Sequence, residues 1–311
     1  MCVLTDENAS QDLKKLIVIA GTNASGKSGL GIELALKFGA EIVSADSRQV
    51  FKGLDLGSGK VTAEEMKGVP HFLLDVADPG DFFSLKEYQE LAYKAIDDIA
   101  DRGKLPFLVG GTGLYVNAVV DGYTLTDAPV DEALRKKVEA MSRDELEELL
   151  RNKLKEIPEN LDLNNKRRLE RAAEKVLMDK PLNLTSQKRY DTLVLGVTWE
   201  RQKLYKRIEE RLDRRLEQGM IGEVENLMKQ GVSDDFLYRL GLEYRYIMLY
   251  IRGRFSSENE FREELFKEIR HLAKEQMTWF RKRKDIIWLD MEKDPVEAAA
   301  SLISEFSDRH S

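Results

Sequence analysis

Gly21-Thr22-Asn23-Ala24-Ser25-Gly26-Lys27-Ser28 stands between a short apolar, β-branched run at 16–20 and an amphipathic run at 30–38. This order of strand, glycine-rich loop and helix decides how the chain is read. The stretch fits G-x-x-x-x-G-K-[S/T] at every fixed position. Its glycines let successive backbone N–H groups turn inward on phosphate oxygens, Lys27 supplies a mobile positive charge, and the start of the following helix adds its dipole. Ser28 is placed to hold Mg2+. Whether the phosphates belong to a nucleoside triphosphate such as ATP or to another diphosphate ester stays open at this point.

Outward from the loop, strand-like runs recur at 41–45, 71–76, 105–110, 193–199 and 285–289, with helical stretches between them. Alternation of this kind predicts an α/β fold, a P-loop NTPase-like parallel sheet flanked by helices. Ser84 with Glu87 reads as a capping box that opens one helix, and Gly103 as its stop. Between 116 and 191 no strand candidate occurs, and charged helical repeats at 143–154 and 166–177 dominate. The expected organisation is a first part of the core at 1–116, an all-helical insertion domain at 117–192, and a second part of the core at 193–311. Further helices are expected at 203–229, 241–251 and 258–284.

At 311 residues with 42% apolar side chains, the chain can bury one large core plus a smaller lobe. No run approaches the roughly 18 apolar residues that span a bilayer, and residues 1–11 are polar and acidic rather than signal-like. A cytoplasmic location without membrane attachment is expected, and nothing calls for more than a monomer. The single cysteine, Cys2, excludes an internal disulfide framework, and His71, His271 and His310 cannot assemble a Cys/His zinc cluster. Any metal must be held mainly by oxygen. Net charge is −7, yet residues 151–189 hold 11 basic and 6 acidic side chains and residues 239–284 hold 12 and 7. Such asymmetry suits a local polyanion site, or simply solvated helical faces.

Asp46 falls at the carboxyl end of the second strand, where ligands of open α/β sheets bind; it could equally cap the turn that follows. Val109-Gly110-Gly111-Thr112-Gly113 is another glycine-rich turn after a strand, and His71-Phe72-Leu73-Leu74-Asp75-Val76-Ala77-Asp78-Pro79 closes a third. Together with Asp46-Ser47-Arg48-Gln49-Val50 and the phosphate loop, these strings resemble the tRNA dimethylallyltransferase (isopentenylpyrophosphate:tRNA transferase) family. The likeness continues through Asn164-Asn165-Lys166-Arg167-Arg168-Leu169-Glu170-Arg171, Arg207-Ile208-Glu209-Glu210-Arg211, Gly222-Glu223-Val224, and Arg270 to Arg281, so it spans about 16–289. The family's usual Gly-Pro-Thr-Ala-Ser-Gly-Lys-Thr is here Gly-Thr-Asn-Ala-Ser-Gly-Lys-Ser, which keeps the chemistry. Glu243-Tyr244-Arg245-Tyr246 departs from Gly-Tyr-Arg/Lys-Gln/Glu, and Glu275 stands where a basic residue is common.

The resemblance implies transfer of a dimethylallyl group from dimethylallyl diphosphate to N6 of the adenosine at position 37, next to the anticodon of tRNA. The exocyclic amine is a weak nucleophile, so Asp46 is the expected base. Lys27, Mg2+ on Ser28, the loop amides of residues 21–28 and Arg245 would match the charge of the leaving diphosphate. The adenine must be flipped out to reach a closed pocket. By the same resemblance, Asp46, Ser47, Arg48, Gln49 and Thr112 would line the RNA end of a channel. Arg135, Arg167, Arg168 and Arg171 would hold the anticodon stem-loop, and Arg270 and Lys274 would add contacts. Arg167, Arg168 and Arg171 could instead be a solvated face paired with Glu170 and Glu174. His71 reads as a strand-end hydrogen bonder, and Trp279 with Phe280 as core. A P-loop kinase or NTPase, a prenyltransferase for free adenosine nucleotides, and an RNA-binding protein with a relic loop are the competing readings.

Overall fold

The computed structural model describes residues 13–125, 131–158, 161–180, 182 and 185–309; Cys2 and His310 lie outside them. In chain order the elements are β1 (Lys15–Gly21), α1 (Lys27–Phe38), β2 (Glu41–Ser44), α2 (Ala63–Met66), β3 (His71–Phe72), α3 (Leu85–Asp101), β4 (Pro106–Gly110), α4 (Gly113–Val120), α5 (Glu132–Glu139), α6 (Arg143–Lys153), α7 (Lys166–Leu177), β5 (Asp191–Thr198), α8 (Arg201–Glu217), α9 (Met220–Lys229), α10 (Asp234–Leu240), α11 (Leu242–Ile251), α12 (Glu258–Phe280), β6 (Ile286–Asp290) and α13 (Pro295–Asp308).

All strands pair in parallel, in the order β3-β2-β4-β1-β5-β6. β1 is central and apolar on both faces, as a strand covered twice must be. Leu16 and Val18 point into one core with Tyr88, Ile96, Ile208, Tyr244 and Phe261. Ile17 and Ile19 point into the other, with Leu30 and Leu34 of α1 and Ala299 and Ile303 of α13. From β1 the chain goes first to one side of the sheet, to β2, and later to the other, to β5. A crevice therefore opens at the carboxyl ends of β1, β2 and β4, where such sheets take their ligands.

Local chemistry sets the helix ends as expected at Ser84, whose side chain accepts from Glu87 N–H while Glu87 caps Ser84 in return. Three expected elements are shorter. The strand expected at 71–76 stops at Phe72 because Leu73 (φ 64) and Asp75 (φ 57) enter the left-handed region. Gly219 (φ 96) breaks the helix expected at 203–229 into α8 and α9. The last basic helix ends at Phe280 rather than 284. Helix α13 follows Pro295 at its first turn and has no counterpart in the sequence reading.

The chain divides into two compact units, Met1–Val120 with Arg189–Ser311, and Asp121–Lys188. The breaks fall inside the expected 117 and 192, because α4 runs on to Val120 and the chain rejoins the larger unit at Arg189, just ahead of β5. The smaller unit has its own core, in which Val138, Leu146, Leu150, Leu169 and Ala173 are fully buried among α5, α6 and α7. No helix among the described residues is long and apolar enough to cross a membrane.

One close approach fixes the crevice. A Cβ on Gly110 would stand 2.1 Å from Ala45 O, backbone against backbone. Gly110→Ala is expected to cost about 1–3 kcal/mol in a denaturant titration, whereas Gly29→Ala, with nothing within 4 Å of the new methyl, should leave the midpoint unchanged or slightly raised.

Candidate active site

The phosphate loop turns through two left-handed residues, Ala24 (φ 58) and Gly26 (φ 87). Inside it, Ser25 Oγ donates to Thr22 O at 2.8 Å and Lys27 Nζ reaches the same carbonyl at 3.3 Å. Ser28 lies half-buried in the first turn of α1. Distant elements hold the loop from outside. Trp199 Nε1 donates to Ser25 O at 2.8 Å. Arg207 Nε donates to Ala24 O at 3.1 Å while its guanidinium lies 4.4 Å from the Trp199 ring. Arg211 Nη1 donates to Asn23 Oδ1 at 2.9 Å. Asn23 N–H donates to Gln276 Oε1 at 2.8 Å, and Gln276 Nε2 donates to Gly111 O at 2.9 Å, which ties this loop to the turn after β4.

Asp46 follows β2 directly across the crevice floor. Its Oδ1 accepts from Arg48 N–H at 3.0 Å, so it does cap the turn, while its Oδ2 has no hydrogen-bond partner among the described residues. Thr112 Oγ1 accepts from Ser47 N–H at 3.0 Å, and Thr112 N–H donates to Ala45 O at 3.1 Å. Gln49 is held inward, accepting from Ser44 Oγ and donating to Gly59 O, each at 3.2 Å. The structure thus brings Asp46, Ser47, Arg48, Gln49 and Thr112 together.

Around them gather more cations than the sequence reading named. Lys27, Arg48, Arg211 and Arg215 interact with one another and with Asp46 and Glu243. Burial pushes the Lys27 ammonium down to about 8; Asp46 opposes the shift, and Arg211, Arg48 and Arg215 add to it. Burial likewise depresses Arg211 and Arg215. Arginine keeps its proton in proteins, so these downward shifts mark cations short of an anion. Arg48 alone has a close carboxylate, Glu243 Oε2 at 2.5 Å from its Nη1.

The guanidinium groups of Arg211 and Arg215 lie directly against Gly59. A Cβ on Gly59 would lie 1.5 Å from Arg215 Nη2 and 2.0 Å from Arg211 Nη2. The Gly59 loop is pinned in turn by Glu223, whose carboxylate accepts from the N–H groups of Asp55, Leu56 and Gly57 at 3.0, 2.6 and 3.0 Å and from Tyr244 OH at 2.9 Å.

Other expected residues lie differently. Arg245 donates to Tyr238 O at 2.8 Å and stacks on the Tyr238 ring at 4.4 Å, contacts on α10 rather than with the loop. Arg211 and Arg215 are the arginines that stand among Lys27, Arg48 and Asp46. Arg270 packs on Tyr205 and Phe266, its Nε without a hydrogen bond. Lys274 lines a surface groove with His271, Glu275, Thr278, Trp279 and Lys282. In the smaller unit, Arg135 and Arg171 pair with Glu174, while Arg167 and Arg168 are exposed. The signal for Arg211 and Arg215 was legible: Arg207, Arg211 and Arg215 recur at intervals of four on one face of α8.

Among the described residues no group of three or more His, Cys, Asp or Glu could hold a metal by itself. Ser28, the expected metal ligand, offers a single hydroxyl oxygen, which suits only an ion bound mostly by water and substrate phosphate, the habit of Mg2+.

Residues 49–283 match the family model described as IPP transferase. The chain is 39% identical to the tRNA dimethylallyltransferase of Acetivibrio thermocellus over 302 residues, covering 94% of this chain and 96% of that one. It is 42% identical to that of an Exiguobacterium species over 289 residues, 91% and 92% of the two chains. The crystal structure of the tRNA isopentenylpyrophosphate transferase from Bacillus halodurans superposes with a TM-score of 0.72 at 36% identity, covering 94% of this chain and 96% of that one. A eukaryotic dimethylallyltransferase, solved acting on tRNA, superposes at 0.78 with 23% identity over 96% and 80%, a likeness of fold.

With its ammonium pushed down to about 8 by burial, Lys27 is expected to lose charge in mildly alkaline solution. Binding of inorganic pyrophosphate, followed by calorimetry, should therefore weaken as pH rises through that value, and Lys27→Arg should move the limb upward. For stability the sign is opposite. A lysine depressed below its ordinary 10.5 favours the folded state only once deprotonated, so the penalty is full below about 8 and relieved toward 10.5. Lys27→Met should raise Tm at neutral pH, with a gain that shrinks in alkali.

Proposed function

The chain belongs to the IPP transferase family, and from that premise we propose that it transfers a dimethylallyl group from dimethylallyl diphosphate to N6 of the adenosine at position 37, beside the anticodon of tRNA. The products are N6-isopentenyladenosine in tRNA and free diphosphate. The observation that carries the reading is the pairing of a nest of unmatched cations with the unengaged Oδ2 of Asp46 in one crevice.

Each half of the reaction finds its need there. The lone pair of the exocyclic amine is delocalised into the purine, so attack on the allylic carbon gains from a carboxylate that takes the N6 proton as the N–C bond forms. Asp46 Oδ2 is that acceptor, since Oδ1 is engaged with Arg48 N–H. The breaking C–O bond sheds its electron pair onto diphosphate. Lys27, Arg211, Arg215 and the loop amides stabilise the charge that develops, in a site where water screens it little. Mg2+ on Ser28 would add Lewis-acid stabilisation of the same oxygens.

An adenine stacked in an anticodon loop cannot enter such a crevice, so it is extruded and its neighbours splayed. Ser47 and Thr112, bonded to each other, border the space beside Asp46 on the RNA side. In the smaller unit the exposed Arg167 and Arg168 supply phosphate contacts, with Arg135 and Arg171 oriented through Glu174. Arg270 and Lys274 contribute from α12. The reading takes one copy of the chain in the cytoplasm, the compartment of its tRNA.

The test is incubation with Mg2+ and either labelled dimethylallyl diphosphate plus bulk tRNA, or ATP plus candidate acceptors. Label entering tRNA in the first arm, lost on chelation of the metal, is the expected result; phosphoryl transfer in the second defeats the reading. Asp46→Ala should lower turnover by about 10²–10⁴ while tRNA affinity stays within a few-fold. Equal loss of both would remove Asp46 from the role of base.

A further inference from the structure

Glu243 is a charged side chain with no task in the reaction as described, yet it is 2% exposed and stands in the cation nest. Its Oε2 lies 2.5 Å from Arg48 Nη1, and it shares a cavity wall with Asn23, Arg211 and Arg215. That cavity measures about 10 Å3, close to the least that one water requires.

The element carrying it is fixed. Tyr244, its neighbour on α11, is fully buried and donates to Glu223, and Gly241 packs 3.3 Å from Arg48 Cδ where a Cβ would stand. A buried carboxylate costs several kcal/mol of desolvation unless cations repay it. Glu243 therefore takes its stability from the same guanidinium groups that the diphosphate would use. It faces Arg48, Arg211, Arg215 and Tyr244, and through them Lys27 and Asp46.

We propose that Glu243 is a built-in counter-anion of the diphosphate site, a positioning residue that fixes the Arg48 guanidinium and weakens the grip on released diphosphate. The inference rests on the reading that this nest takes the diphosphate. Free diphosphate bears more negative charge than its allylic ester, so a surplus of cations would hold the product more tightly than the substrate. Glu243 removes one unit of that surplus. Its carboxylate is engaged with the Arg48 guanidinium, whereas Asp46 keeps Oδ2 for the proton.

The experiment is calorimetric titration of the full-length chain with inorganic pyrophosphate and Mg2+. Glu243→Gln, equal in shape and neutral, should bind pyrophosphate about tenfold more tightly than wild type and show a lower KM for dimethylallyl diphosphate without a higher kcat. Glu243→Asp, which keeps the charge, should stay near wild type. Should Glu243→Gln prove unstable, the pair R48Q and R48Q/E243Q replaces it. Arg48→Gln alone should lose about tenfold, and the double variant, with the net charge of wild type, should regain it. A Glu243→Gln variant that binds no tighter than wild type overturns the inference alone, as does a double variant as weak as R48Q. A wild-type chain that does not bind pyrophosphate overturns the diphosphate site and the inference together.

Discussion

Positive charge withdrawn from water and left short of anions is the condition on which this site depends. Lys27, Arg48, Arg211 and Arg215 face two carboxylates, Asp46 and Glu243. Holding them so costs free energy, because Lys27, Arg211 and Arg215 lose hydration that their neighbours do not restore. A chain free to relax would turn these side chains outward. That they stay inward means the surrounding packing outweighs the penalty, and the stored preference for an anion is what suits the crevice to the proposed diphosphate.

The fold supplies that stiffness from the strand ends and from the helices packed on one face of the sheet. Parallel strands β2, β4 and β1 end together, and Gly110 lets the backbones of β4 and the Asp46 turn touch. Helices α8 and α12 then close over the loop through Arg207, Arg211 and Gln276, each bonded to loop backbone or to Asn23. Glu223 fixes the Gly59 segment on which Arg211 and Arg215 rest. Lys27, Arg211 and Arg215 thus stand on helices anchored in a core, the preorganisation that the proposed transfer calls for.

Asp46 shows how a structural and a chemical role can share one side chain. One oxygen completes the turn after β2 and fixes the carboxylate plane; the other stays available. The capping hydrogen bond orients the carboxylate, so the turn cap and the proposed role as base are compatible.

What the sequence determined by itself is whatever neighbours along the chain decide. The phosphate loop, the capping box at Ser84 and Glu87, the alternation of strand and helix, and the strandless stretch that became the smaller unit were all legible, because periodicity and turn chemistry act over a few residues. Local cues failed where left-handed residues cut an apolar run, as at Leu73 and Asp75 just after β3. Only the tertiary structure decided which cations share the site. Arg245 carries the sequence motif but stacks on Tyr238, whereas Arg211 reaches Asn23 across 188 residues of chain and Glu243 reaches Arg48 across 195. Contacts of that separation depend on how helices pack against a sheet, and no local pattern encodes the packing.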